Sequence, residues 1–220
     1  MELYIGNKNY SSWSLRGWLV LKAFDIEFDE VLLKLFSEEF YETLKGKTPA
    51  LKVPTLIDGD VTVWDSLAIC EYVNETYLNG KGWPASAADR ARARAVVAEM
   101  HSGFMALRNE MPMNCRAKRK VSLSDEAVKD VQKIDALWAD LRESFAGEGP
   151  WLFGKFSIAD VFYASVVLRF GTYGINVSEN SAQYMETVFG LPALQEWLEE
   201  ALKEQDVVEL DEAGVDIDPA

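Results

Sequence analysis

Four short runs of this 220-residue chain hold side chains capable of chemistry. The first is Tyr10-Ser11-Ser12-Trp13-Ser14-Leu15-Arg16. It gathers three serine hydroxyls where an opening strand gives way to a helix. Backbone N–H groups are unpaired there and the helix dipole is positive, so an anion, a thiolate included, is stabilised. A thiol of ordinary pKa about 8.5 drops to about 7 or lower in such a place. The plainer reading makes one serine a helix cap, and Ser14 is the best placed for it. The second run is Lys52-Val53-Pro54-Thr55-Leu56. A cis Val53–Pro54 bond would turn the backbone of Val53 outward, where its N–H and C=O could pair with an extended peptide. The alternative is an ordinary edge-strand start with a trans bond, which X-Pro statistics favour. The third run is Asp65-Ser66 at a helix start. Ser66 reads as the N-cap; its hydroxyl suits a carboxylate and Asp65 an amine, so a zwitterionic amino-acid head satisfies both. Capping alone is the alternative. The fourth, Ser157-Ile158-Ala159-Asp160, is a capping box with Phe156 and Val161 placed for a hydrophobic staple, a signal of folding and not of catalysis.

The elements that must hold these runs differ along the chain. Glu2 to Ile5 reads as a strand, Ser14 to Phe24 as a helix with an apolar stripe, and Phe28 to Leu33 as a second strand. Residues 34–52 are polar and irregular, with a helical turn or two around Ser37 to Leu44. Pro54 to Ile57 and Val61 to Trp64 are short strands joined by Asp58-Gly59-Asp60, a hairpin signal. A helix starts at Ser66. The order is βαβ and then ββα, and no Gly-rich phosphate loop follows the first strand. Residues 78–86 contain Leu78-Asn79-Gly80-Lys81-Gly82-Trp83-Pro84, a linker. Beyond Ala85 only helices are expected: Ala87 to Asn109, Asp125 to Phe145, an almost wholly apolar and therefore buried Ile158 to Phe170, and Pro192 to Lys203. From Asp206 the tail is acidic and is expected to fray or lie on the surface. The chain thus divides into an α/β half over 1–80 and an all-α half over 87–220.

Composition narrows the function. Asp and Glu number 36 against 22 Lys and Arg, a net charge of −14, which disfavours nucleic acid and anionic membrane surfaces as partners. No apolar run approaches the roughly 20 residues of a membrane helix. The start of the chain lacks a basic n-region, so no signal peptide is expected. Two cysteines, Cys70 and Cys115, build no disulfide framework and suit a reducing, cytoplasmic setting. Cys70 reads as core. Cys115 is incidental, or reactive through nearby Arg116, Lys118, Arg119 and Lys120. One histidine, His101, excludes a His-rich metal site, and no metal is expected; it reads as a surface residue.

The serine turn, Lys52-Val53-Pro54-Thr55-Leu56, Asp65-Ser66-Leu67-Ala68-Ile69-Cys70-Glu71-Tyr72 and the Ser157 box together resemble the cytosolic glutathione transferase superfamily over nearly the whole chain. The turn is most similar to its serine-type zeta and theta classes. The resemblance implies a thioredoxin-like N-terminal domain with an α-helical C-terminal domain, a homodimer, and glutathione as co-substrate. It implies that Ser11, with Ser12 as the second candidate, donates its hydroxyl to the glutathione sulfur. Val53 beside cis Pro54 would bind the cysteinyl backbone, Asp65 and Ser66 the γ-glutamyl head, and Lys52 the glycyl carboxylate. A small electrophile would lie between the domains against Trp13, Phe104, Met105, Arg108 and Met111, or those helix residues are ordinary core. Trp13 stands where the zeta turn, Ser-Ser-Cys-Ser-Trp-Arg, carries the cysteine associated with cis–trans isomerisation. The implied activity is conjugation or reduction of electrophiles. A maleylacetoacetate isomerase-like activity and a non-catalytic interaction protein on the same fold are the alternatives.

Overall fold

The structure, a computed structural model, describes residues 1–217. The last three positions of the expected helical half and acidic tail lie outside the described residues. Strand β1 (Glu2–Gly6), helix α1 (Ser12–Ala23) and strand β2 (Asp29–Leu33) make the βαβ unit, with β1 and β2 parallel. After α2 (Glu38–Leu44), β3 (Thr55–Asp58) runs antiparallel to both β1 and β4 (Val61–Trp64), and α3 (Ser66–Thr76) follows. The sheet order is β2-β1-β3-β4. The expected hairpin is present: Asp58 faces Val61, and Gly59 takes the left-handed conformation the tight turn demands. Period-two alternation makes β1 the middle of three layers. Leu3 and Ile5 pack in the cluster that holds α1 and α3, while Tyr4 joins Leu33, Phe40 and Leu44 around α2.

The C-terminal half comprises α4 (Ala87–Ser102), α5 (Met105–Glu110), α6 (Asp125–Ser144), α7 (Ile158–Tyr173), α8 (Glu179–Phe189) and α9 (Pro192–Ala201). All of α7 but Gly171 is buried, as its nearly unbroken apolar run predicts. It packs on α1, α4 and α8 and so joins the two halves. The capping box closes as read: Asp160 Oδ2 accepts from Ser157 N at 2.9 Å.

Three expectations need correction. The single helix over Ala87 to Asn109 is two helices, because Gly103 ends α4 and Phe104 is left-handed at φ 56°. A Cβ at Gly103 would lie 2.7 Å from the Glu99 carbonyl. Arg108 folds back to donate to the carbonyls of Gly103, His101 and Met100, satisfying the acceptors left open at the end of α4. Helix α8 was absent from the expected set; its first turn is held by Ser178, whose N–H and hydroxyl bond the Asp135 carboxylate on α6.

The third concerns the tail, which lies on the surface, as one of its two expected courses has it, but is ordered and adds a strand where only helices are expected. β6 (Val215–Asp216) pairs with β5 (Arg119–Lys120). Glu204 accepts the N–H groups of Lys8 and Asn9, Asp206 pairs with Lys34, and Glu212 pairs with Arg119 and accepts from Asn114 and Tyr10. Each of these carboxylates meets a donor around the β1–α1 turn, so the acidic segment is a strap across that turn.

Candidate active site

A cleft of about 1040 Å³ brings three of the four runs together, lined by Ser11, Ser12 and Trp13, by Lys52, Val53 and Pro54, and by Asp65. Its helical wall carries His101, Met105, Arg108, Met113 and Arg169, with Asp211 from the tail. A second depression, about 1070 Å³ between Trp18, Asp25 to Glu30 and the start of α9, contains none of the motif residues, and the chemistry is not placed there.

At the serine turn the cap of α1 is Ser11, not Ser14. Ser11 Oγ accepts from Ser14 N at 3.2 Å and shares a 2.7 Å hydrogen bond with Ser14 Oγ, which itself accepts from Gly6 N at 3.0 Å. The helix therefore starts at Ser12, two residues earlier than expected. The carbonyl of Ser12 accepts from Arg16 Nε at 3.2 Å, and its Oγ accepts from Arg169 Nη2 at 3.1 Å. Trp13 is 37% exposed at the cleft and lies over the Arg16 guanidinium at 4.3 Å, with His101 edge-on to it at 5.1 Å.

Val53–Pro54 is cis, as the resemblance implies and the X-Pro statistics do not favour. Strand β3 starts after it at Thr55, and among the described residues the backbone of Val53 has no hydrogen-bond partner. Lys52 is exposed at the same edge. At the start of α3 the cap is Asp65 in place of Ser66. Its Oδ1 accepts from Leu67 N at 2.8 Å and Ala68 N at 3.3 Å, and its Oδ2 pairs with His101 Nε2 at 3.2 Å. A carboxylate one residue earlier reaches the second and third N–H groups and meets the positive end of the dipole. Ser66 is left as the first helical residue, fully buried beside Asp65 and outside the lining of the cleft, with a hydroxyl that has no partner among the described residues.

Of the expected second-substrate wall, Trp13, Met105 and Arg108 face the cleft. Phe104 and Met111 do not; both belong to the hydrophobic core, Phe104 turned inward as the left-handed residue before α5. Cys70 is core, as read, and burial pushes its thiol well up. Cys115 is partly buried, its thiol pushed up to about 12 by burial and donating to the Lys8 carbonyl, which supports the incidental reading over the reactive one.

Three residues of the site escaped the sequence reading. His101 is half-buried against Trp13 and Phe162, and burial holds its pKa below the ordinary value although Asp65 opposes this. Asp211 arrives on the tail, its carboxyl pushed up by burial. Arg169 did leave a signal: besides Asp160 it is the only charged residue of the apolar run Ile158 to Phe170, where an unexplained charge calls for a partner. With Arg108 it makes the cleft cationic in a strongly acidic chain, and Arg16 lies fully buried behind this wall, against Trp13 and the Ser12 carbonyl. Burial first, then the neighbouring guanidinium groups, lower Arg16 to about 9 and Arg169 to about 10, so both remain charged at neutral pH. Among the described residues no cluster of His, Cys, Asp and Glu is arranged to hold a metal, and no helix is long and apolar enough to cross a membrane.

Comparison with known proteins gives matching families for both halves. Residues 10–76 match a glutathione S-transferase N-terminal domain and residues 87–200 a glutathione S-transferase C-terminal domain. A probable maleylacetoacetate isomerase of Caenorhabditis elegans is 30% identical over 197 residues, covering 87% of this chain and 89% of the relative. A stringent starvation protein A homolog of Haemophilus ducreyi is 23% identical over 193 residues, covering 86% of this chain and 85% of the relative. Among solved structures, a glutathione transferase homolog from Burkholderia with bound glutathione superposes with a TM-score of 0.70 at 25% identity, over 91% of this chain and 97% of the other.

Proposed function

The chain belongs to the glutathione S-transferase family, and from that premise we propose that it holds glutathione as a thiolate over the Ser11–Ser12 turn and delivers the sulfur to a small electrophile. The observation that carries this reading is convergence. Three segments far apart in sequence supply one cleft with hydroxyls, an unpaired peptide backbone and a helix N-terminus. In it, Val53 offers its free N–H and carbonyl to the cysteinyl residue. Asp65 takes the γ-glutamyl amine. The orphaned Ser66 hydroxyl is an unpaired polar group that a γ-glutamyl carboxylate would satisfy. Lys52 reaches for the glycyl carboxylate. The solved relative that carries glutathione supports the co-substrate.

The chemistry follows from the charge at the turn. A hydroxyl donor, the α1 N-terminus and the buried guanidinium groups all favour an anion, so the thiol proton leaves to solvent and the sulfur stays charged. The sulfur lone pair then forms a bond to an electrophilic carbon, and the leaving group departs with its electrons. The electrophile is assigned to the side of the cleft formed by Trp13, Met105 and Arg108, between domains divided at residues 78–86. The enzyme is read as a cytoplasmic homodimer. Cis–trans isomerisation of an enone acid is the second reading. It is supported by the name of the C. elegans relative and by Arg108 and Arg169, whose charges suit a carboxylate substrate. Trp13 in the place of the zeta-class cysteine weighs against it. A third, non-catalytic reading draws on the starvation-protein relative.

Calorimetry with reduced glutathione tests the binding. Absence of heat from the folded chain would overturn it and favour the interaction protein. Ser11→Ala/Ser12→Ala together are expected to lower aryl-halide conjugation by about one to two orders of magnitude, the loss of charge-assisted donation to sulfur. A double variant within twofold of the parent would remove the serine turn from the mechanism. Faster turnover of a cis-enone acid than of the halide would promote the isomerase reading.

A further inference from the structure

The two adjacent serines differ in what already occupies their hydroxyls. Ser11 Oγ is folded into the first helical turn, bonded both to Ser14 N and to Ser14 Oγ. Ser12 Oγ has a different partner, Arg169 Nη2 at 3.1 Å, contributed by α7 from 157 positions along the chain. A guanidinium offers only donors, so the Ser12 oxygen is the acceptor and its own proton remains available. Arg169 is only 4% exposed, and its other nitrogens are committed: Nε to the Met111 carbonyl at 2.9 Å and Nη1 to the Ser165 carbonyl at 3.0 Å. The fork cannot swing away from Ser12. From the other side Arg16 Nε holds the Ser12 carbonyl. One serine of the pair is thus fixed at main chain and side chain by two buried cations, and both serine and Arg169 line the cleft.

We propose that Ser12 is the hydroxyl that donates to the glutathione sulfur, and that Arg169 is its positioning residue, orienting and polarising that hydroxyl from the helical domain. This rests on the glutathione reading above and goes beyond it in naming the donor and its support. A cation bonded to the serine oxygen withdraws electron density and makes the O–H a stronger donor toward a developing anion. Ser11 then serves chiefly as the cap that sets the turn. The resemblance ranks the two serines in the opposite order, since it cannot show a partner in α7.

The test titrates the thiolate of bound glutathione by its ultraviolet absorbance in the full chain and in Ser11→Ala, Ser12→Ala, Arg169→Gln, Arg169→Lys and the Ser12→Ala/Arg169→Gln pair. Ser12→Ala and Arg169→Gln are each expected to raise the apparent pKa of the bound thiol by about one unit, about a tenfold fall in its ionisation constant. The pair should move it no further than either alone, because both remove one donated hydrogen bond. Arg169→Lys should recover part of the shift. Ser11→Ala should move the titration much less and show its effect in the unfolding midpoint. The proposal is overturned if Ser11→Ala moves the titration and Ser12→Ala does not, or if the Ser12 and Arg169 shifts add. Should Arg169→Gln fail to fold, the contrast between the two alanine variants decides alone. A parent protein that gives no heat with reduced glutathione removes both readings at once, whereas normal binding with the reversed serine order removes this one only.

Discussion

Asp160→Ala is expected to remove about 3–5 kcal/mol from the stability of the chain, enough to leave it largely unfolded near physiological temperature. Asp160 is 1% exposed at the start of α7. Its Oδ2 accepts from Ser157 N at 2.9 Å and Ser157 Oγ at 3.1 Å, and its Oδ1 accepts from Leu152 N at 3.1 Å. Truncation strands two buried N–H groups, at about 1–3 kcal/mol each, and removes half of the capping box. The damage falls on the helix that joins the two halves, so α1 and the site it carries lose their support. Denaturant unfolding of the parent and the variant measures the difference directly. A loss below about 1 kcal/mol would mean that water replaces the carboxylate, and the box would then be decoration on a helix held by packing alone. Asp160→Asn, which keeps one acceptor oxygen, should fall between the two.

That box was legible in the sequence because everything it needs lies within four consecutive residues. The β3–β4 hairpin was legible for the same reason. Caps at the site were harder. Ser11, Ser12 and Ser14 are all competent at an N-cap, as are Asp65 and Ser66, and the choice is made by partners elsewhere: Gly6 N holds Ser14 Oγ, and His101 holds Asp65. Helix α8 does carry an apolar stripe, with Ser181, Tyr184, Met185 and Val188 at helical spacing, and that pattern was the signal available for it; its cap partner, Asp135, sits on another helix and left no local trace. The break at Gly103 was hidden between strong helix formers on both sides; the glycine was the available clue. The strap formed by the tail depends on carboxylates meeting cations more than eighty residues away, Asp206 with Lys34 and Glu212 with Arg119, which no local pattern encodes. The site as a set of surfaces could therefore be read, whereas the long-range contacts that tune it, Arg169 to Ser12 above all, could not.

Arg16 shows the conflict between stability and charge within this site, and Arg16→Met should separate them. The residue is fully buried, and its Nη1 and Nη2 have no hydrogen-bond partner among the described residues. Trp13 at 4.3 Å and Phe162 at 4.9 Å receive the guanidinium on their faces, which offsets about 2 kcal/mol. Taking an ion out of water costs several kcal/mol, so the balance is unfavourable. Burial accordingly disfavours the charged form, yet a guanidinium keeps its proton, so the native state bears this penalty at neutral pH. Methionine fills a similar slot between the rings without charge. Arg16→Met is therefore expected to stabilise the chain by about 1–4 kcal/mol at neutral pH. Conjugation should fall about tenfold or more, because a cation held against the serine turn is lost just where the sulfur carries its charge. Unfolding curves at neutral pH, set beside turnover of an aryl halide, read both effects. A variant destabilised by more than about 1 kcal/mol at neutral pH would show that the guanidinium is compensated in the folded protein. A stabilised variant with full activity would show that the serine turn holds its anion without this charge.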